Sequence, residues 1–212
     1  GKTTAEMKTE ATFTDAGWDF STPIWKIESD KNDGYPYLFW QILESSGSEE
    51  VTIPASNTDP HNFASVGVTI EFQDGNANTG DLTLQITRTD EKPDGALPGA
   101  VQNISPRYWT VTVTNGSVDG SYDITLDLTG IPGIENCGTL YVLKRENDGD
   151  PWIDVTQPPY NGTIDRTNCP NSITVTGLTS FSEFGIGGES DNPLPVELAG
   201  FSGISTKAGV EL

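Results

Sequence analysis

The chain has 212 residues, 34% of them hydrophobic, with 23 Gly and 14 Pro; this length can bury roughly 70% of the unfolded surface, and so turn-rich a composition excludes a helical bundle. Eleven Lys and Arg against 31 Asp and Glu give a formal charge of −20, which excludes a general nucleic-acid binder, because phosphate neutralisation needs basic surface. A single His, a single Met and two Cys remove chemistry that depends on His or thiolate clusters, and no apolar run of about 18 residues is present to insert in a membrane.

Residues 1–41 carry three of the five Trp. Thr4 to Lys8 predicts a helical turn or two, and Thr12-Phe13-Thr14 and Trp18-Asp19-Phe20 alternate as short strands do. Ile24 to Ile27, the turn Asn32-Asp33-Gly34 and Tyr35 to Trp40 complete an aromatic-rich unit. A unit this small needs a neighbouring stack to bury its apolar face.

In their order, "TTAEMK", "ATFTDAGWDF", "IWKI" and "NDGYPYLFWQ" resemble the unit that closes GLUG-type repeat regions in bacterial surface proteins. The resemblance implies that residues 1–41 are the last rung or cap of a β-roll or β-helix, with further chain upstream.

Residues 42–48 turn small and polar, like a linker. Over 42–188 apolar residues then recur at period two: Val68, Ile70, Phe72; Leu82, Leu84, Ile86; Trp109, Val111, Val113; Tyr122, Ile124, Leu126, Leu128; Leu140, Val142; Ile173, Val175. Turn dipeptides such as Asp94-Gly95, Asn115-Gly116 and Asn161-Gly162 separate the runs. The pattern predicts an all-β, two-sheet antiparallel sandwich, with Trp109 in the core and the Val111–Leu128 stretch as its clearest hairpin.

"LYVLKRENDGDPWIDVT" and "TIDRTNCPNSITVTGLTSFSEFGIGG" resemble Ig-like β-sandwich modules of type IX-secreted Bacteroidetes-group proteins. That resemblance implies a structural or adhesive module at the outer surface of a bacterium or outside the cell. Residues 189–212 open with Glu-Ser-Asp-Asn-Pro, a linker signal, and "LPVEL" resembles the start of the next module in such proteins, so this segment is expected to be a linker and the first strand of a truncated module.

Cys137 and Cys169 are even in number and 32 residues apart; they read as a disulfide in an oxidising compartment, with two buried free thiols as the alternative. Asp30, Asn32 and Asp33 approximate the start of a calcium loop, and Asp148 and Asp150 form a similar cluster. Either group can equally be a turn closed by its own side chains, and any calcium there would stabilise the protein.

Trp152 and Tyr160 are candidates to stack on a glycan, against a packing role; of Trp152 and Ile153, one must face away from the core. Val196, Leu198 and Phe201 lack a partner domain and could add a strand to a neighbouring module or to another copy of the chain. No residue is nominated as catalytic: Glu183 reads as an outward strand residue between core Phe residues, and His61 as a loop residue. The function read from the sequence is non-catalytic, structural or adhesive, with an accessory carbohydrate-binding module as the alternative.

Overall fold

The structure, a computed structural model, describes residues 2–18, 20, 25–29, 32–38, 46–73, 80–118, 120–194, 204–206 and 209–211. A six-stranded and a five-stranded antiparallel sheet make up the sandwich.

The larger sheet contains β3 (Gly47–Ile53), β6 (Leu82–Thr89), β7 (Asn103–Asn115), β9 (Leu140–Arg145), β10 (Ile153–Asp154) and β13 (Glu183–Gly188), in the spatial order β10-β9-β13-β7-β6-β3. The smaller contains β4 (His61–Phe63), β5 (Val68–Phe72), β8 (Tyr122–Asp127), β11 (Thr163–Asp165) and β12 (Ser172–Leu178), in the order β11-β12-β8-β5-β4.

Period two sends one side chain in two inward from each strand. Ile53, Phe63, Ile70, Leu84, Trp109, Ile124, Leu126, Val142, Ile173 and Phe184 meet in one core and are essentially unexposed. Each such apolar side chain contributes about 1.5–3 kcal/mol relative to exposure, so this layer dominates the favourable side of folding. The Trp109 indole N–H is also satisfied, donating to Val66 O at 2.8 Å.

The expected Val111–Leu128 hairpin is not formed. β7 pairs with β6 and β13, whereas β8 pairs with β5 and β12, so the turn between them crosses from one sheet to the other. Asn-Gly and Asp-Gly specify a tight reversal, but which sheet receives the next strand depends on long-range pairing. His61 likewise begins a strand, paired with Ile70, because Phe63 two residues later anchors that strand in the core.

In the amino-terminal segment Glu10–Thr14 is helical (α1), not extended. Three alternating residues fit a helix as well as a strand, and Phe13 is buried against Trp18, with ring centroids 4.9 Å apart. A short antiparallel ribbon joins β1 (Trp25–Lys26) to β2 (Tyr37–Leu38). Near the other end β14 (Ile204–Thr206) pairs with β15 (Gly209–Glu211).

The segment read as a linker at 189–193 is packed. Asn192 is fully buried: its Oδ1 accepts from Glu135 N and Asn136 N, both at 2.9 Å, and its Nδ2 donates to Asn136 O at 2.9 Å and Thr139 Oγ1 at 3.0 Å. Leu194 then enters the main core. Gly133, at φ +78°, admits this crossing, since a Cβ there would lie 2.4 Å from Pro193 O.

Beside this clamp Cys137 and Cys169 form the disulfide, with Cα atoms 6.1 Å apart. It ties the loop before β9 in one sheet to the loop before β12 in the other. Closing a loop of this length stabilises by about 4 kcal/mol on a chain-entropy basis.

Candidate functional site

The densest polar cluster lies at the end of β9, where Leu140-Tyr-Val-Leu-Lys-Arg145 places consecutive cations on opposite faces of one strand. Lys144 shares the inward parity of Leu140 and Val142, and Arg145 shares the outward parity of Tyr141 and Leu143. Both side chains are nevertheless fully buried.

Arg145 is covered by the loop between β6 and β7. Its Nε donates to Glu183 Oε2 at 2.6 Å, its Nη1 to Asp94 Oδ1 at 2.7 Å and Asp94 O at 3.0 Å, and its Nη2 to Asp148 Oδ1 at 2.7 Å. The guanidinium stacks on the Trp152 ring, 4.5 Å from its centroid, and the Trp152 indole N–H donates to Asp94 O at 2.7 Å. The Arg145 hydrogen bond, with the charge behind it, holds the Asp94 carboxyl below the ordinary aspartate range.

That loop makes a second apolar core on the outer face of the larger sheet, from Val101, Ile104, Leu143 and Trp152. β13 permits the approach by presenting glycine on this face: a Cβ on Gly187 would come within 2.7 Å of Val101. Gly95, at φ +95°, turns the loop where a Cβ would meet Asp150 O at 2.6 Å.

Lys144 Nζ donates to Ser180 Oγ at 3.0 Å and Glu146 Oε1 at 3.1 Å, and sits over the rings of Tyr160 and Phe184 at 4.1 and 5.6 Å. Burial lowers its pKa, with Glu146 acting against that shift. Tyr160 OH donates to Glu146 Oε1 at 3.0 Å, and its pKa is raised by burial and that bond.

A second network closes the opposite end of the same loop. Opposite Ile186 alone, β7 carries Ser105, Pro106 and Arg107, a bulge in the register with β13. The bulge turns Arg107 so that its Nε donates to Asp90 Oδ1 at 2.7 Å and its Nη1 to Thr129 O at 2.9 Å. Arg88 Nε donates to the other Asp90 oxygen at 3.0 Å.

These positions bear on several expectations. Trp152 does face away from the main core, but at 2% exposure it presents no platform to a sugar. Tyr160 is half-buried with one face under Lys144. Asp148 is engaged with Arg145, and Asp150 Oδ2 accepts from Asn147 N and Nδ2, closing that turn. Among the described residues no three His, Cys, Asp or Glu side chains converge as a metal site would require.

Asn32 Nδ2 donates to Pro36 O at 3.0 Å, and Asn32 and Asp33 both have positive φ, as in a tight turn. Asp30, Val196, Leu198 and Phe201 lie outside the described residues. Glu183 is the outward strand residue expected, and Phe184 beside it is in the core.

Arg145 and Lys144 were not singled out from the sequence. The signal was there: a chain with eleven basic residues places two of them side by side in a strand and follows them with Glu146, Asp148 and Asp150.

No protein-family model and no curated protein sequence matches this chain.

Proposed function

We propose that this chain is a non-catalytic structural module of a secreted, modular surface protein, in which the sandwich acts as a rigid spacer between neighbouring modules. The observation that carries this reading is the clamp at residues 189–194. A spacer must fix the direction in which the chain leaves it, and here Asn192 with four hydrogen bonds and Leu194 in the core fix that exit.

The disulfide supports an oxidising, extracellular setting at the bacterial surface, and the acidic coat supports solubility there. The cluster around Arg145 has the character of a structural joint, since its cations are buried and multiply bonded.

The experiment is a distance distribution between probes at Ser46 and Pro193 in the full chain, measured by pulsed electron spin resonance. A single narrow distribution, unchanged when the temperature is raised below unfolding, is the expected result. A broad distribution would remove the spacer role. Turnover in a broad hydrolase screen that one carboxylate substitution abolishes would replace it with an enzyme.

A further inference from the structure

The end of β7 nearest the Arg145 cluster has a ladder on one side alone. β13 pairs with β7 over Asn103–Thr110 and β6 pairs with it over Tyr108–Asn115. Among the described residues, therefore, no strand lies on the β13 side of Val111–Asn115. Val111 N–H donates to Ser182 O, at 2.9 Å, on that side. Alternation along an antiparallel ladder turns the amide and carbonyl of Val113 the same way.

This edge borders a notch of about 480 Å³, whose walls include Val113, Val118, Phe181, Ser182, Glu146 and Asp148. Its apolar wall is half-covered, as a strand edge awaiting a neighbour is. Ser182 is only 7% exposed, yet its hydroxyl has no hydrogen-bond partner, although buried hydroxyls are ordinarily satisfied. The rim is acidic: Glu146, Asp148 and Glu183, together with Asp94, share the two cations Lys144 and Arg145.

We propose that the notch receives an extended, basic segment of another protein, which adds a short strand to β7 at Val113–Asn115, beyond the Val111 amide that Ser182 O already occupies. Apolar side chains at alternate positions of that segment would cover Val113, Val118 and Phe181, while its Lys or Arg residues meet Glu146 and Asp148. Charge selects the occupant: a second copy of this chain would bring a further formal charge of −20, whereas a basic strand meets an unbalanced carboxylate rim. This adds a binding activity and stands independently of the spacer role.

The test titrates the full chain with a short synthetic peptide alternating Val with Lys, and with its counterpart alternating Val with Glu, by calorimetry. Binding of the lysine peptide alone is expected, weakening at least about tenfold when salt rises from about 0.05 to about 0.5 M. N-methylation of alternate peptide amides on one edge should abolish it, and on the other edge should not. Thr112→Arg, an exposed change at the notch, should weaken it about tenfold with thermal unfolding unaltered. Equal binding of the glutamate peptide, indifference to which edge is methylated, absence of binding, or self-association of the chain through this edge would each overturn the proposal.

Discussion

The guanidinium of Arg145 and the indole of Trp152 are stacked at 4.5 Å and share one acceptor, the carbonyl of Asp94. Together they fasten the β6–β7 loop over the glycine face of β13, so the loop's geometry depends on a cation that no solvent reaches.

Arg145→Met should therefore destabilise the protein by about 2–4 kcal/mol. Breaking a buried ion pair leaves a carboxylate stranded; here that is chiefly Glu183, whose side chain is 12% exposed, whereas Asp94 and Asp148 remain well hydrated. Chemical denaturation of the variant measures the loss. A red shift of tryptophan fluorescence that disappears when Trp152 is also replaced by Phe would place the damage at Trp152.

Lys144→Met should behave differently, within about 1 kcal/mol of the parent or above it, because a buried charge gives way to an apolar side chain and its partner Glu146 is half-exposed. The pH dependence gives a second signature. Burial lowers the Lys144 pKa in the folded state, so the folded protein releases this proton before the unfolded chain does, and stability rises as pH climbs toward the ordinary lysine value near 10.4. Denaturation midpoints in the alkaline range should show that rise in the parent and lack it in the variant.

Two expectations drawn from the sequence illustrate what local pattern can and cannot decide. Period two placed Trp109, Leu126 and Val142 inward correctly, because burial of one face is written in the alternation itself. The Val111–Leu128 pairing was misplaced, because the turn between β7 and β8 reverses the chain identically whether the next strand stays in the sheet or crosses the sandwich. Trp152 shows the same limit for the site. Its parity puts it off the main core, but only the glycine run in β13 and the distant Asp90–Gln102 loop bury it, and neither is local.

Asn192→Ala should cost about 2–4 kcal/mol, since it leaves two backbone amides, Glu135 and Asn136, without their acceptor. A chain ending at Gly188 should lose at least as much relative to one ending at Leu194, as the latter keeps both Asn192 and the buried Leu194. Differential scanning calorimetry of the two truncations reads this directly; equal midpoints would mean that residues 189–194 are a linker after all.

His61 is the chain's single histidine, and its Nε2 is buried with no hydrogen-bond partner. Burial lowers its pKa, against the pull of Asp59. The depressed value means that the unfolded state takes up the proton first, so stability present above the ordinary value near 6.5 is lost as pH falls through the folded pKa. Unfolding followed between about pH 7 and pH 5 should show this loss, and His61→Gln should flatten it. Further acid loss should set in near pH 4, where Asp94, Asp165 and Asp191, all with lowered pKa values, accept protons in the unfolded chain first.

The central claim is that the sandwich is a rigid unit stapled across its two sheets, and single-molecule pulling on the full chain from both ends tests it most directly. The sandwich should unfold in one discrete, high-force step. At about 3.6 Å per residue, the loop of 32 residues closed by Cys137 and Cys169 should make the oxidised step shorter than the reduced one by about 115 Å. Gradual extension at low force, or equal steps with and without reductant, would contradict a stapled, rigid module.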